Sequence, residues 1–125
     1  IDALLIREAD EIKEAMIADE NQDTLLLAKE FIETNYTSTI SLDELGEICH
    51  MSKFTLIRQF TKYFGVTPYQ YLQTIRIRES KELLSAGEDL SAVSFKVGFS
   101  DQSHFSRVFK SFIGITPKQY QEIFK

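Results

Sequence analysis

The sequence predicts an all-α fold: two similar helical units joined by a long helix, with one more helix in front. Three observations predict it. Apolar residues recur at spacings of three and four, and no useful length of chain alternates apolar with polar, so the periodicity is helical. The only two prolines, Pro68 and Pro117, sit in the same start signal, Thr-Pro-x-Gln. Residues 53–71 overlay residues 102–120 when the chain is shifted by 49.

Each element has its own signal. Residues 3–18 read as an acidic amphipathic helix with Leu5, Ala9, Ile12 and Met16 on one face, broken by Asn21 to Asp23. The next helix runs about 24–36, with Leu25, Ala28, Phe31, Ile32 and Tyr36 inward. Ser41 and Glu44 form a capping box, in which the hydroxyl takes the N3 amide and the carboxylate reaches back. They open a short helix that buries Leu42, Leu45 and Cys49. Ser52 opens a helix over 53–63 with Leu56, Phe60 and Phe64 inward, and Gly65 ends it as a left-handed C′ residue. Thr67-Pro68-Tyr69-Gln70 combines an N-cap, a proline at N1 and a box partner. The helix it starts runs to Ser85 and ends at Gly87, about 27 Å at 1.5 Å per residue. Short helices over 90–97 and from after Ser100 to Ile113 end at Gly98 and Gly114. In the second of them Phe105, Phe109 and Phe112 face inward. Thr116-Pro117-Lys118-Gln119 starts the last helix.

The repeat defines the units. Arg58, Phe60, Gly65, Thr67, Pro68, Gln70 and Tyr71 fall on Arg107, Phe109, Gly114, Thr116, Pro117, Gln119 and Tyr120, seven identities in nineteen positions. Upstream the shift is 48, with Leu42 on Leu90, Cys49 on Val97 and Ser52 on Ser100, so the second copy carries one extra residue at the start of its second helix. Each copy is a short helix, a tight turn and a longer helix, which is a helix-turn-helix. Gly98 supplies positive φ at the second turn. His50 stands at the first, and His is among the few side chains enriched there. The expected divisions are 1–22 as a linker or the end of an upstream domain, 23–66 and 87–125 as the two units, and 67–86 as the joining helix.

Composition narrows the function. Hydrophobic residues make up 43% of the 125 positions, enough for a packed core. No apolar run is long enough for a membrane helix. The single Cys49 excludes an internal disulfide and suits a reducing cytosol, so a cytoplasmic location is expected. Ile1 is not a start Met, and the chain reads as a piece of something longer. The net charge of −5 hides an asymmetry: residues 1–50 carry 13 acids and 3 bases, residues 51–125 carry 6 acids and 11 bases. Phosphate binding depends on where bases sit, so the second part remains a candidate for DNA.

The run Val97-Gly-Phe-Ser-Asp-Gln-Ser-His-Phe-Ser-Arg-Val-Phe-Lys110, then Gly114-Ile-Thr-Pro117 and Tyr120, resembles the signature of the AraC/XylS family of transcription regulators. The resemblance covers about residues 24–124. It implies a seven-helix DNA-binding domain whose two helix-turn-helix units each place a second helix in the major groove of double-stranded DNA. It further implies transcription activation, contact with RNA polymerase, and dimerisation through a separate upstream domain. Three positions depart from the pattern: His50 where Gly is common, and Gly46 and Ser80 where Ala is common.

Candidate DNA-reading residues follow from the helix faces. In the first unit Lys53, Phe54, Ile57 and Arg58 are outward. Arg58 can donate bidentately to guanine, and Phe54 and Ile57 suit thymine methyls. The alternative for Phe54 and Ile57 is core contact with the preceding short helix. In the second unit Gln102, Ser103, Ser106 and Arg107 are outward, with Gln102 suited to adenine and Arg107 to guanine or phosphate. For either Arg the alternative is an ion pair with an acid of the neighbouring short helix. Lys53, Lys62, Lys110 and Lys118 are phosphate candidates, or else a solvated face. His104 points at DNA or packs on the turn. The helix N-termini at Ser52, Thr67, Ser100 and Thr116 offer amides and a favourable dipole to phosphates. Arg76, Arg78 and Lys81 either approach the DNA backbone or, the preferred reading, are solvated charge, and Leu72, Ile75, Leu83 and Leu84 read as core.

Two other classes fit the sequence less well. An enzyme is disfavoured: two His and one Cys show no metal spacing, phosphate loop or nucleophile elbow, so no catalytic residue, metal or cofactor is expected. An acidic helical protein-interaction module keeps the fold without binding DNA; the −5 charge and outward Phe54 and Ile57 favour it weakly, and Arg58 and Arg107 at matching positions argue against it.

Overall fold

The computed structural model describes residues 22–125, and the amphipathic helix expected over 3–18 lies outside them. Among the described residues there are helices and no strands. Helix α1 occupies residues 22–35. It is followed by α2 (Leu42–Cys49), α3 (Lys53–Phe64), α4 (Pro68–Ser85), α5 (Leu90–Lys96), α6 (Gln102–Ile113) and α7 (Pro117–Ile123). Gln22 and Asp23, read from sequence as part of a break, are already helical, and Tyr36 falls in the turn after α1.

The capping signals hold. Ser41, Thr67 and Thr116 each form the full reciprocal box with the residue three further on. α3 and α6 end on Gly65 and Gly114 at φ 79° and 93°. α4 ends at Ser85, and Gly87 turns the chain with φ 86° while its amide donates to the Leu84 carbonyl.

Two cores divide the chain. The first gathers Leu25, Ala28 and Ile32 from α1, Leu45 and Cys49 from α2, Leu56 and Phe60 from α3, and Leu72 and Ile75 from α4. The second gathers Ile77 and Leu84 from α4 with Val93, Val97, Phe99, Phe105, Val108 and Phe109. Helix α4 therefore serves both cores, and the change falls between Ile75 and Ile77, which project about 200° apart at 3.6 residues per turn. Ser80, fully buried, satisfies its hydroxyl on the Ile77 carbonyl at 2.7 Å, so the departure from Ala there is absorbed. α7 is stapled to the end of α4 by Gln121, whose amide donates to the Leu84 and Glu88 carbonyls at 3.2 and 2.6 Å. Burial in the first core pushes the Cys49 thiol above its ordinary range.

Two expectations about packing are corrected. Phe112 is 44% exposed: in the last turn of α6 it is Ile113 that packs on the core. Arg76 is not solvated but 8% exposed, held between the two units.

Close approach of the first turn's backbone explains Gly46. The first turn is one residue shorter, and the Met51 amide closes it onto the Gly46 carbonyl at 2.8 Å. A Cβ on Gly46 would lie 2.5 Å from the Met51 carbonyl oxygen. In the longer second turn the matching position holds Ser94, fully buried, with its hydroxyl on the Ser91 carbonyl. Gly46→Ala should lower stability by about 1–2 kcal/mol, because the backbone clash outweighs the helix propensity Ala gains. Urea unfolding checks this, and a gain in stability would mean the short turn relaxes freely. His50, at φ 56° and ψ 42°, sits near the centre of the left-handed region, which a side chain can enter at modest cost.

Candidate nucleic-acid interface

α3 and α6 are the second helices of the two units. Each buries an i, i+4 pair of its own: Leu56 and Phe60 on α3, Phe105 and Phe109 on α6. The opposite faces are left to solvent.

On α3, Lys53, Phe54, Arg58 and Lys62 are exposed and Ile57 is half-buried. Phe54 is 71% exposed, so it does not join the core, and its ring lies 5.4 Å beneath the Lys53 ammonium. An ammonium over a ring face is a weak attraction at an exposed site, and it brings charge and apolar surface together. On α6, Gln102, Ser103, Arg107 and Lys110 are exposed, and Ser106 and His104 are half-buried. The His104 ring packs edge-on against Phe99 at 5.4 Å, so it rests on the turn.

Ion pairing does not consume the two arginines. Among the described residues the pairs are Lys29–Glu33, Arg78–Glu79 and Lys96–Glu88; neither Arg58 nor Arg107 takes part. The acids of α2 (Asp43, Glu44 and Glu47) leave Arg58 free. The counterparts of those three on α5 are Ser91, Ala92 and Phe95.

The helix N-termini are not equivalent, and one expectation changes here. The N-cap of α6 is Asp101, not Ser100: its carboxylate accepts the His104 amide at 2.7 Å. Ser100 is the extra residue of the longer turn. A carboxylate already occupies the positive end of that helix, so a phosphate would meet a like charge there. α3 opens instead on the neutral Ser52, whose hydroxyl accepts the Thr55 amide at 3.2 Å. At Thr67 and Thr116 the boxes use the Gln70 and Gln119 amides and proline has none, which leaves the Tyr69 and Lys118 amides for an anion. Lys118 is exposed on α7.

Sequence reasoning missed the buried contact that ties α4 to the connection between α1 and α2. Arg76 donates from Nε to the Tyr36 carbonyl at 2.7 Å and from Nη2 to the Ser38 carbonyl at 3.0 Å. Its guanidinium lies 5.5 Å from the centre of the Phe99 ring. The available signal was the i, i+4 stripe Leu72–Arg76–Ser80–Leu84, which places the charge in line with three core residues.

No helix among the described residues is long and apolar enough to cross a membrane, and no group of three His, Cys, Asp or Glu is placed to hold a metal.

Comparison with known proteins agrees with this architecture. The helix-turn-helix domain family matches residues 45–123. An uncharacterised HTH-type transcriptional regulator of Bacillus subtilis, YbfI, is 40% identical over 100 residues, which are 80% of this chain and 36% of that protein. The chain thus spans about a third of that relative's length. Among solved structures, the C-terminal domain of the response regulator yesN from Fusobacterium nucleatum superposes with a TM-score of 0.71 at 34% identity, covering 76% of this chain and 94% of that one. The DNA-binding domain of AdpA, solved in complex with a target DNA, shares the fold with a TM-score of 0.74 at 22% identity, covering 80% and 91%. With its two turns, two outward arginines and long joining helix, the chain belongs to the helix-turn-helix domain family of AraC/XylS type.

Proposed function

We propose that this chain binds double-stranded DNA sequence-specifically, with α3 and α6 in successive major grooves, and that it serves a regulator of transcription. The observation that carries the reading is the pair Arg58 and Arg107. They stand 49 residues apart, at matched positions of matched helices, exposed and without an ion pair among the described residues. Exposed guanidiniums aimed outward from two such helices suit guanine O6 and N7. The faces around them differ. Phe54 and Ile57 give the first an apolar surface for thymine methyls, and Gln102, Ser103 and Ser106 give the second donors and acceptors for polar base edges. Lys53, Lys62, Lys110 and Lys118, with the free first-turn amides of the helices capped by Ser52, Thr67 and Thr116, hold phosphates and fix register without reading sequence.

The larger protein this reading implies is an activator that contacts RNA polymerase and dimerises through an upstream domain, working in the cytoplasm without catalysis. The family and the names of the relatives support the regulatory role.

Selection from a random duplex library at physiological salt tests the core of the proposal. The expected product is a non-palindromic motif in two blocks about one helical turn apart. No enrichment by a folded sample would overturn it. A second reading, a protein-interaction module, draws on the 71% exposure of Phe54. Salt separates the two, since binding through several phosphates weakens steeply as salt rises, and an apolar protein interface responds little.

A further inference from the structure

We propose that Arg76 sets the register between the two DNA-reading units, and so fixes the spacing of half-sites the chain accepts. The inference rests on the DNA-binding reading for its consequence and on the geometry alone for its cause. Three segments meet at this side chain. Tyr36 and Ser38, whose carbonyls accept from Arg76, lie in the connection between α1 and α2, which belongs to the first unit. Phe99, under the guanidinium, lies in the turn between α5 and α6 of the second unit. Arg76 itself sits between Ile75, the last residue of the first core, and Ile77, the first of the second. Gly98 presses on the same connection: a Cβ there would stand 2.6 Å from the Tyr36 carbonyl oxygen.

This contact is not what packing alone requires. Arg76 is 8% exposed and has no carboxylate partner among the described residues. Burial pulls its pKa below the ordinary range, a sign that the environment works against its charge. An apolar side chain of similar length fills such a space without that cost. What the guanidinium adds is direction. Two donors on a planar fork, meeting two backbone carbonyls, fix both the distance and the angle of approach. Carried through the turn to α6, that constraint orients the second reading helix against the first.

The consequence is a sharp dependence on spacer length. One extra base pair moves the second half-site about 3.4 Å along the axis and roughly 34° around it, so a rigid pair of helices cannot follow it. Arg76 is a positioning residue on this account, and it touches no base.

Two readouts test it. The first uses spin labels on the exposed Thr61→Cys of α3 and Ser111→Cys of α6, in a Cys49→Ala background. The expected result is a narrow distance distribution in the parent chain and a broad one in Arg76→Met. An equally narrow distribution in a folded Arg76→Met overturns the proposal, whether or not the chain binds DNA. Should Arg76→Met fail to fold, Arg76→Lys replaces it: an ammonium on a flexible stem is a rotatable point donor without the planar fork, so it does not fix the angle of approach, broadening is again expected and its absence again overturns the proposal. The second uses the selected duplex and versions with one base pair added to or removed from the spacer. The parent chain should lose on the order of tenfold or more in affinity on either altered spacer. The Arg76 variant should bind all three with similar, weaker affinity. A variant that keeps the parent's spacer penalty refutes the role. If no duplex is bound by the parent chain, the DNA reading fails and the spin-label distances still decide the role of Arg76.

Discussion

Gly98→Ala will destabilise the chain by roughly 2–4 kcal/mol, from strain and overlap together. The backbone there has φ 103°, beyond the narrow left-handed region open to side chains near +50° to +70°. The new methyl would also meet backbone on the other unit: the Tyr36 carbonyl oxygen at 2.6 Å and the Thr37 Cα at 3.0 Å, with Arg76 Nε at 2.8 Å. A flexible side chain can withdraw, but a carbonyl that already accepts from Arg76 cannot move without breaking that bond. Gly114→Ala is the matched control. Its φ is 93°, a comparable strain, but nothing lies within 4 Å of where its Cβ would go. Urea unfolding of both variants separates the two contributions. Gly98→Ala should cost clearly more, and equal losses would mean the contact between units is soft.

The contrast with His50 shows which part of the fold was legible in the sequence. Turn chemistry is local. A residue with positive φ, a Thr-Pro-x-Gln start and a glycine stop each act over three or four positions, and the corresponding caps are where those signals place them. The inward faces of α3 and α6 were legible for the same reason, since a 3.6-residue period needs only the helix itself. Longer reach was not legible. Arg76 bonds partners 38 and 40 positions away, and nothing near residue 76 announces a carbonyl pair at Tyr36 and Ser38. The requirement for Gly46 depends on how closely the Met51 carbonyl approaches it, visible only once the turn is built. Asp101 displaced Ser100 as the cap because the extra residue of the second copy falls before the helix, not inside it. The candidate reading faces came partly from sequence: Arg58 and Arg107 from the repeat, the exposure of Phe54 from the structure.

Arg58→Ala and Arg107→Ala should each weaken binding to the selected duplex by about 1–3 kcal/mol, and each should relax preference in a different half-site. Both side chains are exposed and without an ion pair among the described residues, so neither variant should lose appreciable stability. This separates a reading role from a structural one: a fall in the unfolding midpoint with base preference intact would sink the assignment. The two effects should also add. The arginines sit on separate helices with separate cores, and distant sites that share no partner combine with little coupling. The double variant should therefore lose roughly 2–6 kcal/mol, which at 1.4 kcal/mol per tenfold brings it near non-specific affinity. Salt dependence then divides base contact from phosphate contact for each residue. If Arg107 holds a phosphate, its removal should reduce the slope of log affinity against log salt by about one and weaken all sequences alike. If it reads guanine, the slope should hold and one position of the second block should lose its preference. Arg58, beside Phe54 and Ile57 on an apolar surface, should behave in the second way. For Arg107 guanine is the expected partner too, since it stands at the position matched to Arg58.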